Sequence, residues 1–553
     1  MYRKRGRCAV KETAPGASNR SGSTRGVPRG HRRTLMLVTL TVAVSLLFAM
    51  ALVGCGGSSS GPSVVVFGTA FQVAESLNPN ADQFTFTSDN AIYEHLVDFN
   101  AATNAYAPSL AEKWETSGDG LTWTFHMRQG VKFQDGSVCD ANAFKQSYDL
   151  AVKGPQGYKL AFVDSVTIPD ASTVVLKLKT PYAVLDIIAA TPFVVSPTAI
   201  QKYGDQAYQP GNGAGTGPYM LKAVSTTVEC TLQKNLNYWG GWKGTHANAP
   251  DVYIIRSIPE AATRVQNLKQ GVVQIMSPVP LADAKGFETS TDLDLLVQDG
   301  PSTNTIHFNT KLAPTDDLNF RLALFYACPF EDIVQLAYSG YAKVGSGFLG
   351  PNMYGYDKQV AQMGQYKQDM AKAKEYLAKS KYPNGGVTIS ALTDNASPEC
   401  MKIMELYTSA LAQLNITLQT QPIDVGVMFE EAMVPDKRVH NIYTTGKPGL
   451  VLGVGTLEMD FGSSSAYNFT SMTDPKIDQL IADAYASATS NKDKMVADVI
   501  EADKWVRENV PEIAPAYGEA LHASIKNVIK GFMMTDTSFM VPNFYDIQYF
   551  PKK

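Results

Sequence analysis

Between Thr122 and Met127 the chain alternates strictly, with Thr122, Thr124 and His126 set against Trp123, Phe125 and Met127. A two-residue period puts one set on each side of an extended backbone, so the segment predicts a half-buried strand and excludes a helix. Gly130 ends it. Val131 and Phe133 restart the alternation as a second short strand, Asp135-Gly136 supplies a turn, and Asp140 can cap a helix running from Ala141 through Phe144 towards Leu150. Val64 to Phe67 predicts another short apolar strand, whereas Asp369–Ala378, Met401–Leu414 and Asp493–Glu508 carry helical periodicity. Interleaved strands and helices make the class α/β. A chain of 553 residues, 44% hydrophobic, is long enough to bury more than one core, which predicts several domains.

Charge is distributed very unevenly. The first 34 residues hold ten Lys/Arg and one Glu, and residues 35 to 54 hold no charge at all. From Cys55 onward 38 basic residues face 51 acidic ones, a net charge of −13, which argues against a nucleic-acid binder. Arg32-Arg33 followed by Leu35 to Val53 reads as the basic and apolar parts of an export signal spanning residues 1–54. Leu52-Val53-Gly54-Cys55 resembles a bacterial lipobox, which implies diacylglycerol on the Cys55 thiol and anchorage at the extracytoplasmic face of the cell membrane. Gly56 to Gly61 is then a flexible tether within residues 55–62. The alternative is an uncleaved membrane helix, because 20 apolar residues suffice to span a bilayer.

No motif here forces catalysis. Cys139, Cys230, Cys328 and Cys400 show no metal-binding spacing, and the seven histidines form no HExxH pair, so no metal or other cofactor is implied. Cys328 with Cys400 is a possible disulfide in an exported chain; buried free thiols are the alternative. Gly211 to Gly217 is glycine-rich but lacks the Lys-Ser/Thr ending of a phosphate loop, which favours a structural turn. No serine occupies a GxSxG elbow, and no carboxylate pair stands out among 51. Enzyme readings therefore have no positive residue support.

Several stretches carry a family signature: Ser76-Leu77-Asn78-Pro79, Ile92 to Val97, Pro108 to Phe144, Gly215-Thr216-Gly217-Pro218-Tyr219 and Asn235-Leu236-Asn237-Tyr238-Trp239. Arg264 to Gly271, Ile306 to Asn309, Arg321 to Val334 and Asn468 to Ile481 follow in order. In these the chain resembles family 5 extracellular solute-binding proteins, the oligopeptide, dipeptide and nickel receptors of bacterial ABC importers. The resemblance implies a helix at Ile92–Val97 and a two-lobed periplasmic-binding-protein type II fold with an extra subdomain. Lobe one would comprise residues 63–106, 210–308 and 517–553, the subdomain 107–209 and lobe two 309–516, with crossings near Phe308 and Ala516. It also implies a monomeric receptor whose partners are a small-molecule or peptide ligand and an ABC permease with its ATPase. A ligand-sensing receptor and an extracytoplasmic hydrolase are the other classes considered.

Peptide-binding members hold the ligand's α-ammonium with an Asp shortly after a Gly-Trp pair. Here Gly446-Lys447 stands at that pair and Leu450 at the Asp. A buried ammonium left without its carboxylate costs about 3–5 kcal/mol, so a non-peptide or anionic solute becomes an alternative to an oligopeptide. Lys447 either faces a ligand carboxylate or phosphate or is an exposed loop residue, and Glu458 or Asp460 could replace the anchor. Phe71, Tyr182, Phe193, Phe348, Tyr443 and Tyr467 fall in regions that resemble the cleft lining, where aromatic faces could stack on a ligand; core packing is the alternative.

Overall fold

The computed structural model describes residues 61–73, 77–81, 87–100, 105–155, 157–179, 192–447, 453–488, 491–536 and 541–551. The export signal, Cys55 and most of its tether, Ser76, Tyr182 and Leu450 lie outside the described residues. Among the described residues no helix is long and apolar enough to cross a membrane.

Among the described residues eleven strands form one large sheet. Two long antiparallel strands, Leu293–Phe308 and Glu512–Ile525, run side by side through its middle. On one side of them lie Ile442–Lys447, Val387–Asp394 and Ile416–Ile423; on the other lie Ile275–Ser277, Val64–Thr69, Val252–Ser257, Glu229–Lys234 and Tyr219–Ser225. Ala342–Val344 adds to Glu512–Ile525 off this path. Each half has its own core. Ile306, Phe308, Phe320, Leu324, Tyr407 and Leu411 pack in the first, and Val65, Phe67, Tyr219, Leu232, Tyr253 and Ile255 in the second.

The alternating segment folds as the strand Thr122–Met127, with Trp123, Phe125 and Met127 buried. It belongs to a separate four-stranded sheet with Ala111–Thr116, Val163–Asp170 and Thr173–Leu178. Phe144, from the helix Ala141–Lys153, packs into the same core. That helix starts where the sequence places it, because Asp140 accepts a 3.0 Å bond from the Ala143 amide. Val131–Phe133 forms no strand. An isolated bridge, Lys132 to Val138, closes the turn at Asp135-Gly136, with the Phe133 amide donating to the Ser137 carbonyl and the Cys139 amide to that of Val131. The expected helix at Ile92–Val97 is also absent: a single turn, Asp89–Ile92, ends at an extended Tyr93, and Glu94 bridges to Val194.

The sequence landmarks hold these parts together. A Cβ on Gly215 would lie 2.0 Å from the Ile92 carbonyl oxygen and one on Gly217 2.5 Å from that of Ala91, so the glycine run is a close backbone crossing and not an anion cradle. Asn235 donates to the Gly217 carbonyl at 3.1 Å, and Tyr238 and Trp239 donate to the buried Glu94 carboxylate at 2.9 and 3.0 Å. Arg321 donates to the carbonyls of Thr315, Asn509 and Val510, clamping one helix start to another helix end. All four cysteines from Cys139 onward are buried free thiols, so Cys328 and Cys400 are unbonded.

Candidate functional site

Strand direction locates the site. In one half of the sheet Val64–Thr69, Val252–Ser257 and Ile275–Ser277 are parallel, and in the other Val387–Asp394, Ile416–Ile423 and Ile442–Lys447 are parallel. Ile275 pairs with Ser524 and Met276 with Ala523, so that strand advances towards lower numbers on Glu512–Ile525. Lys447 pairs with Thr303, so its strand advances towards lower numbers on Leu293–Phe308. Both courses run to one place, where the central pair breaks register between Asp299 opposite Glu519 and Thr303 opposite Tyr517. The carboxyl ends of both parallel sets therefore converge, and a crevice at such ends is where open α/β sheets take ligands. At the break Gly300 and Gly518 let the two backbones approach: a Cβ on Gly300 would lie 2.5 Å from the Gly518 carbonyl oxygen.

At this convergence Lys447 is buried, and its ammonium is in contact with Asp460 and 3.5 Å from Glu512 Oε2. It also lies 5.3 Å from the ring centre of Phe469. Glu512 Oε2 is 2.8 Å from His307 Nδ1, and His307 Nε2 is 2.6 Å from the Thr305 hydroxyl. Burial would raise the Glu512 carboxyl, but Lys447 and His307 beside it override this and hold it at about 2. Asp460 is pushed up to about 7 because burial outweighs its contact with Lys447. Burial, with the charge of Lys447, holds His307 down at about 4. The cluster thus sets one buried ammonium against two buried carboxyls, whose burial it opposes by its charge.

An aromatic wall adjoins it. Phe469 is buried, with Phe429 at 5.6 Å and Tyr467 at 6.3 Å between ring centres, and Tyr467 is 42% exposed. On the other half of the sheet, Phe71 follows the carboxyl end of Val64–Thr69 and is 49% exposed. His522 and Ser277 meet there at 2.8 Å, and burial holds the imidazole down at about 3.

The structure brings Lys447 and Asp460 together and leaves Phe71 and Tyr467 with exposed faces. The exposed-loop expectation for Lys447 is corrected, because the residue ends a central strand and its ammonium is engaged inside the protein. Asp460 is likewise occupied by that lysine. Glu458, two residues away and so on the opposite face of the helix Val454–Phe461, is exposed and accepts from the Tyr485 hydroxyl at 2.6 Å. Three aromatics sit in cores. Phe193 stacks 3.8 Å from the His95 ring, Phe348 packs on Phe461, and Tyr443 is fully buried with its hydroxyl donating to Glu431 at 2.6 Å. Sequence reasoning did not find Glu512, His307 or Phe469; each reaches the cluster from a different element, and no local spacing signals it. Among the described residues no group of three or more His, Cys, Asp or Glu comes together to hold a metal.

Known proteins share this architecture. Glutathione-binding protein GsiB of Pectobacterium atrosepticum is 28% identical over 494 residues, covering 86% of this chain and 92% of that one. The structure of HbpA2 from Haemophilus parasuis superposes with a TM-score of 0.76 at 22% identity, over 88% of this chain and all of that one. The ABC transporter substrate-binding protein CtaP from Listeria monocytogenes gives 0.77 at 19% identity, over 89% and 100%. The two-lobed type II fold follows from these likenesses. The family model for bacterial extracellular solute-binding proteins, family 5, matches residues 105–476, and the chain therefore belongs to that family of ABC-transporter receptors.

Proposed function

We propose that this protein is a membrane-anchored lipoprotein that captures an oligopeptide in the crevice between its lobes and delivers it to an ABC permease. One observation carries the reading: the carboxyl ends of two parallel strand sets converge on the register break of the only two long strands shared by both halves of the described sheet. A solute touching both sides stabilises the closed arrangement by its differential affinity, and the permease recognises that arrangement. Lobe one comprises residues 63–106, 210–308 and 517–553, the four-stranded sheet belongs to the 107–209 subdomain, and lobe two spans 309–516. Lipid on Cys55 holds the receptor at the cell surface or in the periplasm, where it works as a monomer without chemistry of its own. The relative that binds glutathione, a tripeptide, supports a short peptide as the solute.

A second reading, a non-peptide and anionic solute, rests on Leu450 standing where the peptide-binding pattern has its ammonium-anchoring Asp. The engagement of Lys447 with internal carboxylates removes support for that lysine as an anchor for a ligand anion. Native mass spectrometry of gently purified protein tests both. Peptide masses bound one to one support the first reading, a single non-peptide mass supports the second, and steady conversion of any bound solute would refute a receptor without catalysis.

A further inference from the structure

The surroundings of the Lys447 ammonium are those that would hold an ammonium ion arriving from outside. Asp460 comes from the helix Val454–Phe461, Glu512 from the central strand Glu512–Ile525, and the ring face of Phe469 completes the third side at 5.3 Å. Two buried carboxylates and an aromatic face attract a primary ammonium by ion pairing, charge-assisted hydrogen bonding and the ring quadrupole. All three groups are at least nine-tenths buried, and they converge on one point from separate elements. A lysine needed only for surface charge would not be inserted there. The strand carrying Lys447 ends opposite Thr303, beside the register break on which the strand ends converge.

We infer that Asp460, Glu512 and Phe469 form an ammonium site that the chain fills with its own Lys447, so that a solute's free amino group finds no anchor here. This deepens the receptor reading and rests on it. Lys447 acts as a resident cation: it neutralises the carboxylates that would otherwise draw in the amino terminus of a peptide, and a solute with a blocked or distant amino group meets no penalty. Removing the lysine should leave an open ammonium site.

The test uses the full folded chain. Lys447→Ala should lower the thermal midpoint, and n-propylammonium chloride, which replaces the deleted propyl-ammonium portion of the side chain, should restore it saturably. Sodium chloride at equal ionic strength and neutral 1-propanol should not. The rescue should weaken at least fivefold in Lys447→Ala with Asp460→Asn. Wild type should bind an N-acetylated dipeptide and its free-amine form within about twofold of each other by calorimetry, whereas Lys447→Ala should favour the free amine by about tenfold, equal to roughly 1.4 kcal/mol. Rescue by sodium chloride, or rescue that ignores Asp460, would overturn the inference. So would a strong free-amine preference in wild type. Should Lys447→Ala not fold, Lys447→Met keeps the volume, and its midpoint must then recover in combination with Asp460→Asn; failure to recover refutes the site. Absence of all peptide binding would count against the peptide reading alone, because the propylammonium rescue decides the ammonium site independently.

Discussion

Asp503 shows how far a single buried group departs from what its position in the sequence suggests. It lies on the helix Lys492–Asn509, has no exposed surface, and accepts from the Phe348 amide at 3.2 Å. Burial pushes its carboxyl up to about 7, against the opposing charge of Arg507. Because the folded value lies above the unfolded one, the contribution of Asp503 to stability is fully present below about pH 4 and is lost as pH rises through 7. Asp503→Asn should remove this loss. The stability difference between wild type and the variant should shift in favour of the variant by on the order of 3–4 kcal/mol between pH 4 and pH 8, read from denaturant titrations at each pH. Parallel pH profiles would refute the assignment. Lys447 makes the same point about legibility. The sequence shows a lysine where the family pattern has another residue, but nothing in its neighbourhood tells that Asp460, 13 positions on, and Glu512, on another strand, will surround it.

At the scale of elements, local chemistry was legible wherever it alone decides the outcome. The strand Thr122–Met127 follows from its alternation because one face is buried, and the helix Ala141–Lys153 starts at Asp140 because the cap needs only its own carboxylate and an amide three residues on. Met370–Lys379 begins with Asp369 as its cap for the same reason. Val131–Phe133 has strand-like spacing but finds no ladder partner beyond one bridge, and Glu94 is drawn into contact with Trp239 and Tyr238 in place of a helical turn. The second outcome depends on groups more than a hundred residues away, which no window of sequence contains. Trp123 anchors the four-stranded sheet with no exposed surface. Trp123→Ala should cost about 3–5 kcal/mol, the usual penalty for deleting a buried aromatic. Hydrogen exchange should locate that loss in residues 111–178, with little change in Val387–Asp394 or Ile416–Ile423; uniform loss of protection would contradict a separate core.

For the whole molecule, the class and the family were readable because the landmarks follow the family order over most of the chain, and several of them close backbone crossings and bury Glu94. The ligand was not readable, since the convergent strand ends lie far apart in sequence and meet only through the registers of Leu293–Phe308 and Glu512–Ile525. Under the proposed receptor reading these two strands carry the closure, and their pairing shifts register between Asp299 and Thr303 and again between Asn304 and Ile306. The most direct test of this account is small-angle scattering of protein stripped of solute and then titrated with the solute identified by native mass spectrometry. The account predicts a radius of gyration that falls and saturates at one solute per chain, with the solute recovered unchanged. A radius that stays constant through saturation, or a solute recovered chemically altered, would contradict it.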